Sequence, residues 1–390
     1  MYNYIPLEQA ADILDSYRKP VNSKERLNLI KGKPLDELFP YYGATGQVGW
    51  IDSFLTDGEY ILLGEDGAPF LNPYAEKAYI IHGKTWVNNH AHILRSKTNN
   101  EFLCYYLNYF NYKKYVSGTT RLKLTQAQMR KIPIPNIPSD EQSRIVARIE
   151  ELFSKLDKAV DTLKTTKEQL EVYRQAVLKD AFQEKENIIR LGDAIEKPRY
   201  GTSKKCDYPC TANSTAVLRI PNIDTKNGRV DSSDLKYAEF NEKELEQLSL
   251  KNGDILIIRS NGSISLVGSS AIIRKCDTDK TYAGYLMRLR ILNKEKLLPK
   301  YLLYYLSSPD ARRYIESVAK STSGVNNINS QEISKLCVPL SSIEKQEKTV
   351  AEIEMKLSVY HEIEKSVDTV LVQADAMRQS ILKQAFEGAL

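Results

Sequence analysis

Two groups of side chains in this sequence have types and spacings that could hold a metal ion. Three residues separate Cys206 from Cys210, and Cys276 could add a third thiolate, a ligand that zinc prefers. No histidine lies near them in the sequence to complete the ligand set, and the five cysteines form no Cys-x2-Cys pair. His90 and His92 alternate along a predicted strand, which we interpret as polar strand surface. The sequence therefore predicts reduced thiols and no metal site.

Three further patterns suggest nucleotide or cofactor chemistry, but each lacks an essential part. Gly43, Gly46 and Gly49 are wrongly spaced for a dinucleotide-binding turn, and Trp50 follows them where a helix should begin. Asn72-Pro73-Tyr74 is similar to the Asn-Pro-Pro-Tyr motif of amino-methyltransferases, but one proline is missing and no cofactor-binding glycine motif precedes it. The sequence also lacks a Gly-x4-Gly-Lys-Ser/Thr loop, so a nucleotide-driven motor would have no place to hold its triphosphate.

Glu354-x-Lys356 matches part of a nuclease motif, but it falls on a predicted long helix where no metal-binding strand is available. No other motif offers a nucleophile, a general base or a metal. We therefore assign no catalytic residue and predict that the chain is not an enzyme. The elements that would position binding residues become the more informative part of the sequence.

The chain is an internal duplication. Residues 174–182 return as residues 378–386, and the same offset of 204 relates Gln142 to Gln346. Closer to the start of the chain the offset falls in steps to 184, as insertions in loops would produce. A duplicated chain can carry two equivalent binding heads related by a pseudo-two-fold axis, which suits a target in two parts.

Each copy ends in a predicted long helix of about 43 residues, roughly 65 Å. Residues 140–183 contain no Gly or Pro, their apolar positions are spaced by threes and fours, and the second copy keeps the register. This pattern is typical of a coiled-coil seam, and we expect the two helices to pair antiparallel within the chain. A coiled coil between two chains stays open as an alternative. The predicted seam is Ile145, Ile149, Leu152, Leu156, Ala159, Leu163, Leu170, Tyr173 and Val177, with Ile353, Leu357, Tyr360, Ile363, Val367, Val370, Ala374, Met377 and Ile381 in the second copy.

The remaining sequence predicts two heads of short strands separated by glycine and polar turns, each closed by helical residues at 102–115 or 299–315. The predicted fold class is therefore α+β: two mixed α/β heads joined by two long antiparallel helices that form an intramolecular coiled coil, in a pseudo-two-fold tandem repeat. At 390 residues the chain is too long for one compact core. No apolar stretch approaches a membrane span and residues 1–6 lack a signal-peptide core, so we expect a soluble cytoplasmic protein.

The formal net charge of +5 is unevenly distributed along the chain. The two helical segments, residues 139–187 and 343–390, together carry 15 basic and 20 acidic side chains, so the basic excess lies in the heads. Phosphate-rich partners would be attracted by such an excess, although it is also common on proteins that never bind nucleic acid.

The two heads repeat a strand and glycine turn but differ at its tip. Residues 58–67 and 253–262 share an apolar framework, whereas Gly64-Glu65-Asp66 in the first head corresponds to Arg259-Ser260-Asn261 in the second. A shared scaffold with altered hydrogen-bonding tips is expected of two heads that read different base sequences. Neutral drift of surface residues would give the same divergence.

These blocks resemble those of type I restriction-modification specificity subunits, over essentially the full length. The resemblance implies two target-recognition domains, 1–138 and 188–342, that alternate with a central helical region, 139–187, and a C-terminal one, 343–390. It implies one DNA half-site per domain and a spacer set by the helices. The resemblance rests on residues 40–52 and 58–67 in the first head, residues 218–223 and 252–256 in the second, and Ile134-Pro135 and Val338-Pro339 before the helices.

The resemblance also implies partners and cofactors. The partners are double-stranded DNA, two methyltransferase subunits that carry S-adenosylmethionine, and restriction motor-nuclease subunits that carry ATP and magnesium. We expect no cofactor on this subunit and no membrane partner. Two other functions stay open: a coiled-coil adaptor that ignores DNA, and a divergent DNA methyltransferase.

The candidate DNA-binding residues fall into two classes. For phosphate contacts we select the basic residues Lys113, Lys114, Arg121, Lys123, Lys197, Arg199, Lys204 and Lys205. For base readout we select the turn and loop residues Tyr42, Thr45, Glu65, Asp66, Asn89, Arg259, Asn261, Arg288, Asn326 and Asn327.

Overall fold

A computed structural model describes residues 3–184, 187–208, 211, 213–322 and 324–388. The chain divides into two compact units. Unit 1 comprises Met1–Thr165 and Val367–Leu390, and unit 2 comprises Thr166–Ser366. None of the helices in the described part of the chain has an apolar stretch sufficient to cross a bilayer.

The described residues form short helices and strands around two long helices. The helices are α1 (Leu7–Ala10), α2 (Ser23–Ile30), α3 (Asn100–Tyr109), α4 (Gln126–Met129), α5 (Ser139–Ala181), α6 (Leu191–Ala194), α7 (Glu242–Leu248), α8 (Pro299–Leu306), α9 (Pro309–Val318), α10 (Ser330–Ser334) and α11 (Ile343–Phe386). The strands are β1 (Tyr4–Pro6), β2 (Ala11–Ile13), β3 (Phe39–Gly43), β4 (Gly46–Ile51), β5 (Thr56–Gly64), β6 (Ala78–Val87), β7 (Ala91–Ser96), β8 (Pro133–Pro135), β9 (Asn187–Arg190), β10 (Arg199–Tyr200), β11 (Ser214–Leu218), β12 (Ile223–Asp224), β13 (Arg229–Val230), β14 (Lys236–Glu239), β15 (Ile255–Ile258), β16 (Ser260–Asn261), β17 (Ser270–Ile272), β18 (Thr281–Tyr282), β19 (Leu286–Leu289), β20 (Lys320–Thr322), β21 (Val325–Asn327) and β22 (Cys337–Leu340).

Unit 1 is built on a six-stranded sheet in the order β2-β7-β5-β6-β3-β4, beside the two-stranded pair β1-β8. Residues 60–63 of β5 are buried on both faces of the sheet. Ile61 and Leu63 share a core with α3 and the last turns of α11, whereas Tyr60 and Leu62 belong to a second apolar cluster. Phe386 of α11 packs edge-on against Tyr106 of α3, with 5.2 Å between the ring centroids. The aromatic residue that ends the second repeat therefore anchors α11 in the core of unit 1.

Unit 2 has a six-stranded sheet in the order β10-β19-β15-β17-β13-β12, with the smaller sheets β14-β11-β18, β16-β21-β20 and β22-β9. The aromatic residue that ends the first repeat has the same role here. Phe182, which follows α5, packs edge-on against Tyr301 and Tyr305 of α8, at 5.1 and 5.2 Å between ring centroids. The repeated Ala-Phe thus seats the end of each long helix in a core of apolar and aromatic residues.

The long helices α5 and α11 have 43 and 44 residues and run antiparallel within each unit. In unit 1 the guanidinium of Arg378 contacts the carboxylate of Asp157 and lies 5.0 Å from the ring centroid of Phe153. In unit 2 the Tyr360 hydroxyl donates to Glu171 at 2.8 Å. The predicted fold class, two mixed α/β parts with a long antiparallel helix pair, is confirmed.

The buried face of the two long helices matches most of the predicted seam but departs from it at several positions. Along α11 the buried positions run from Leu357 and Tyr360 to Glu364 and Val367, which places a glutamate where an apolar residue was expected. Glu364 tolerates burial because Lys226 Nζ donates to its carboxylate at 2.7 Å. The predicted seam residues that are exposed instead are Ala159, Tyr173, Ile363, Val370 and Met377.

The predicted helical stretches are shorter than expected. Residues 299–315 form two helices, α8 and α9, because Ser308 caps the second one and Pro309, which has no N–H to donate, occupies its first position. Residues 102–115 form α3 only as far as Tyr109, and a single 3-10 turn follows at residues 112–114.

The glutamines related by the repeat offset begin both long helices in the same way. Gln142 Nε2 donates to the Ile137 carbonyl at 2.8 Å. Gln346 Nε2 donates to the carbonyls of Ser341 and Lys296 at 2.9 and 2.8 Å, and its Oε1 accepts from the backbone N–H of Leu298 at 2.9 Å. Each side chain ties its helix start to the preceding backbone.

Replacing Gln346 by methionine, which has a similar shape, is expected to lower the free energy of unfolding by about 3 kcal/mol, since buried carbonyl and N–H groups lose their partners. Urea denaturation followed by far-UV circular dichroism measures this loss of unfolding free energy. Gln373→Met is the matched control, because Gln373 is exposed on the same helix. Equal losses for the two variants would contradict this role of Gln346.

Candidate nucleic-acid interface

Turns of unit 1 meet at one edge of its six-stranded sheet. The Glu65 N–H donates to the His90 carbonyl at 2.8 Å, which joins the turn after β5 to the β6–β7 turn. The Asn88 N–H donates to the Tyr42 carbonyl at 3.1 Å, which attaches the β3–β4 turn. The Leu124 N–H donates to the Glu65 carbonyl at 2.7 Å, which attaches the preceding polar loop. This surface, the unit 1 edge, comprises residues 42–46, 64–67, 88–90 and 117–124.

The two carboxylates of the unit 1 edge are ion-paired. Lys123 Nζ lies 3.2 Å from the Glu65 carboxylate, and the Arg18 guanidinium contacts the same group. Arg121 Nη2 donates to the Asp66 carboxylate at 3.0 Å. Two residues selected for phosphates thus contact the two acidic residues selected for bases. Burial would raise the pKa of Glu65, but the hydrogen bonds from Arg18 and Lys123 hold that pKa below its ordinary value.

His92 is buried beneath these ion pairs, so the expectation of polar strand surface at this residue is wrong. Its side chain has no exposed area; Nδ1 lies 2.8 Å from the Asp15 carboxylate and Nε2 lies 3.0 Å from the Leu124 carbonyl. Burial would raise the pKa of Asp15, but the hydrogen bond with His92 helps hold that pKa below its ordinary value. His90, in contrast, is partly exposed and its Nδ1 contacts Asp66 at 2.6 Å.

The other candidates of unit 1 divide into two places. Thr45 and Asn89 are exposed on the turns of the unit 1 edge, and Tyr42 is partly exposed on β3 beside them. Lys113 and Lys114 are exposed on the 3-10 turn that precedes the polar loop. The structure therefore brings the three uncharged candidates together with the acidic ones and leaves the two lysines on a neighbouring surface.

Four candidates of unit 2 meet in the small sheet β16-β21-β20. Asn261 pairs with Asn326 across β16 and β21, and Asn327 occupies the next register position. Arg259 directly precedes β16, and its carbonyl accepts from the Ile328 N–H at 2.9 Å. The side-chain oxygen of Asn327 is buried without a hydrogen-bond partner. Residues more than 60 positions apart in the sequence thus form one polar surface.

A basic cavity of about 570 Å³ adjoins this small sheet. Its lining includes the cations Lys204, Arg219, Lys236 and Arg259, and the ring of Tyr285, which is 62% exposed. Among the described residues no acidic side chain lines it, so the cavity favours an anionic or electron-rich group. Its size is within the range of small-ligand sites, roughly 300–1,000 Å³.

Two guanidinium groups are held in place in this cavity with donors unused. Arg259 Nη1 donates to the Gly284 carbonyl at 3.0 Å, and its guanidinium carbon lies 4.6 Å from the ring centroid of Tyr200. Arg219 Nη2 donates to the Asp234 carboxylate at 2.9 Å. The Nε atoms of both arginines are buried without a hydrogen-bond partner. A fixed guanidinium with free donors matches the acceptors of guanine in the major groove.

Arg288 cannot read bases in this structure, which corrects its selection. Only 5% of Arg288 is exposed, and its Nη1 donates to the Ser249 carbonyl at 2.6 Å. Its second Nη lies 3.7 Å from the Glu196 carboxylate. The residue is on β19, between β10 and β15, where a buried position requires internal partners for a charge.

The four basic candidates at residues 197–205 are exposed. Lys204 lines the basic cavity and its Nζ lies 2.7 Å from Glu244. Lys197 and Arg199 lie before and on β10, and the side chain of Lys205 is 86% exposed. Of these four candidates, Lys204 is the one in the lining of the basic cavity.

Three residues of these surfaces were missed by sequence reasoning: Arg18, Arg219 and Lys236. Arg219 belongs to residues 218–223, one of the segments that carry the family resemblance, so it could have been selected from the sequence. Arg18 and Lys236 have no such signal, since their ion pairs and cavity positions depend on long-range chain paths.

No group of three or more His, Cys, Asp or Glu residues in the described part of the chain is arranged to hold a metal ion. Cys206 lines the basic cavity, Cys276 is exposed, and both are free thiols. Cys210, which was considered with Cys206 as a possible zinc ligand, lies outside the described residues.

Comparison with known proteins relates the chain to DNA specificity subunits. Residues 9–172 match the family model described as type I restriction modification DNA specificity domain. The EcoKI type I restriction enzyme specificity subunit of Escherichia coli K12 is 28% identical over 289 residues, which span 70% of this chain and 61% of that relative. A putative type I specificity subunit of Haemophilus influenzae is 29% identical over 316 residues, 77% of this chain and 74% of the relative.

Solved structures support the fold. A chain from a study of complex assembly and conformational transition in the type I R-M system superposes with a TM-score of 0.71 at 17% identity, covering 100% of this chain and 98% of its own. The HsdS subunit of Thermoanaerobacter tengcongensis superposes with a TM-score of 0.53 at 16% identity, covering 100% and 97%. The resemblance predicted from the sequence is therefore confirmed: the chain shares the fold of type I restriction-modification specificity subunits, and residues 9–172 match the DNA specificity domain of that family.

Proposed function

We propose that this chain is the DNA specificity subunit of a type I restriction-modification complex and that it reads a bipartite, asymmetric DNA target. One half-site is read by the domain of residues 1–138 and the other by the domain of residues 188–342. The helical regions 139–187 and 343–390 set the spacer between them. The chain itself performs no catalysis in this proposal.

The observation that carries the proposal is the unlike chemistry of two surfaces built on one repeated framework. The unit 1 edge presents acid–base pairs around Glu65 and Asp66, together with uncharged turn residues. The corresponding surface of unit 2 presents Arg259 and Arg219 around a basic cavity, with asparagines beside it. Since carboxylates and guanidinium groups favour different base edges, two such surfaces suit two different half-sites.

The proposed partners follow from the family. Two methyltransferase subunits and restriction motor-nuclease subunits assemble with this chain, and double-stranded DNA is its ligand. S-adenosylmethionine is bound by the methyltransferase subunits, and ATP and magnesium by the motor subunits, with no cofactor on this chain.

Selection of bound duplexes from a random DNA library, with the purified chain and its methyltransferase subunit, tests the proposal. We expect enrichment of a motif with two short specified parts and an unspecified spacer. The adaptor alternative gives no enrichment and no salt-dependent binding to DNA. The methyltransferase alternative gives S-adenosylmethionine binding by the purified chain alone.

Replacing Lys205 by alanine is expected to weaken binding to every duplex by a similar factor, because an exposed lysine contacts phosphates without reading bases. The slope of log affinity against log salt concentration should fall in magnitude by about one. Fluorescence anisotropy at several salt concentrations measures both effects. A sequence-dependent loss, or an unchanged slope, would count against a phosphate contact at Lys205.

A further inference from the structure

A second basic cavity, of about 580 Å³, lies in unit 2 away from the surfaces described above. It is lined by α5, α8, α11 and the turn before β13, and the polar residues that matter here are Arg174, Arg229, Lys300, Glu354 and His361. The apolar residues Leu303 of α8 and Leu357 of α11 also line it. The proposed DNA-reading function does not use this cavity.

Two nitrogen atoms at this cavity are buried without a hydrogen-bond partner: Nε of Arg174 and Nε2 of His361. Buried polar atoms are nearly always hydrogen-bonded, so two such atoms beside one cavity indicate a ligand or ordered water. Arg174 forms no ion pair with any described residue, and its Nη2 donates to the Lys226 carbonyl at 3.3 Å. Arg229 is exposed at the cavity and has no side-chain partner among the described residues.

The acidic residue of the cavity is already engaged. Glu354 accepts from Lys300 Nζ at 2.6 Å and from the Tyr304 hydroxyl at 3.4 Å. Arg174 and Arg229 therefore leave a net positive charge at the cavity. Burial lowers the pKa of His361. The charges of Glu364 and Asp224 oppose this shift, whereas those of Arg174 and Arg229 act in the same direction as burial. An anion in the cavity would reverse that effect and favour the protonated ring.

The internal repeat allows the cavity of unit 2 to be compared with the corresponding corner of unit 1. Arg378 and Asp157 of unit 1 occupy the repeat positions of Arg174 and His361, at the offset of 204. In unit 1 the arginine contacts the aspartate and is neutralised. In unit 2 a histidine replaces that aspartate, and the arginine is left without a carboxylate.

A second pair of repeat-related residues also changes from acidic in unit 1 to basic in unit 2. Lys300 of unit 2 corresponds, at an offset of 199, to Glu101 of unit 1. Burial raises the pKa of Glu101, and the charge of nearby Glu150 raises it further, as expected in an acidic corner. Two substitutions thus convert an acidic, self-neutralised corner in unit 1 into an open basic cavity in unit 2. If this position served only to stabilise the fold, both units would be expected to keep the Arg–Asp pair.

We propose that the cavity lined by Arg174, Arg229, Lys300 and His361 binds a phosphate-bearing ligand. Guanidinium groups bind phosphate oxygens through paired N–H donors, and a neutral or protonated imidazole adds a further hydrogen bond. The volume accommodates a polyphosphate or a nucleotide. The phosphate comes either from a free polyphosphate compound or from the DNA backbone.

Isothermal titration calorimetry of the full-length chain with inorganic tripolyphosphate tests this proposal. We expect saturable one-site binding to the unchanged protein and a loss of at least about tenfold in affinity in His361→Asp, which restores the arginine–carboxylate pair of unit 1. Arg229→Gln, at an exposed position with no partner to lose, should weaken binding by a similar factor while the thermal midpoint stays unchanged.

His82→Asp is the matched control, since it makes the same change of residue and charge at a side chain that is 72% exposed in unit 1. It should leave tripolyphosphate binding unchanged. Absence of binding to the unchanged protein, or equal binding by His361→Asp, would overturn the proposal.

Adding tripolyphosphate to DNA-binding assays separates the two sources of phosphate. Competition with DNA assigns the cavity to the DNA backbone, and unchanged DNA affinity assigns it to a free compound. If the random-library selection enriches no DNA motif while tripolyphosphate still binds, the proposed DNA-reading function is refuted and the phosphate site is retained.

Discussion

Inserting seven residues into both long helices, after Thr165 and after Ser366, is expected to lengthen the DNA spacer by about three base pairs. Seven helical residues add roughly 10 Å, and base pairs are stacked about 3.4 Å apart. Seven residues are within about 20° of two full turns, so the apolar seam keeps its phase. At the original spacing, affinity should fall roughly 100-fold or more, because only one half-site can then be engaged.

The insertion points lie at the boundary between the two units, so the contacts that pair the helices within each unit are retained. These include Arg378 with Asp157 in unit 1 and Tyr360 with Glu171 in unit 2. Selection from a random duplex library reports the spacer directly. An insertion in α5 alone is the control: it mismatches the helices and should lower binding at every spacing. An unchanged spacer in the double insertion would refute the proposal that the helices measure it.

Replacing Arg259 by alanine is expected to relax sequence preference at one half-site only. We expect a loss of about 2 kcal/mol, roughly 30-fold, in discrimination at one base pair, and no change at the other half-site. The physical reason is the fixed guanidinium of Arg259, held by the Gly284 carbonyl and the Tyr200 ring with its Nε unused. Competition binding with duplexes altered one base pair at a time measures the loss.

Arg313→Ala is the matched control for Arg259, because Arg313 is a 76% exposed arginine of the same unit on α9. It removes the same charge without touching the basic cavity. Equal and sequence-independent losses for both variants would show that Arg259 acts as a phosphate contact. A loss at both half-sites would show that the two domains do not read DNA independently.

Several features of the candidate surfaces could be predicted from sequence because they depend on local pattern. The tip formed by Arg259 and Asn261 follows a buried strand and a glycine turn, and the polar residues Asn326 and Asn327 follow a second turn. The structure joins these segments into one sheet. The sequence could identify the segments, but not their pairing, because that pairing spans more than 60 residues.

Errors occurred where a partner distant in sequence decided the environment of a charge. Arg288 was expected at the DNA surface, but the Ser249 carbonyl and Glu196 hold it inside unit 2. Glu65 and Asp66 were selected for base readout, but their ion pairs with Lys123 and Arg121 could not be predicted from the sequence. Whether a charged residue is buried or paired depends on which chain segments meet there, and a residue's type does not reveal this.

The sequence by itself determined the duplication, the length and apolar stripe of the two long helices, and the α+β class. Repeats and hydrophobic periodicity are properties of consecutive residues, and helix geometry converts them directly into length and an apolar face. Only the tertiary structure decided where the seam departs from the apolar pattern, as at Glu364 in place of Ile363, and the charge of the two corners where α5 meets α11. These depend on ion pairs with Lys226 and on the Arg378–Asp157 contact, whose energies exist only once distant segments come together and exclude water.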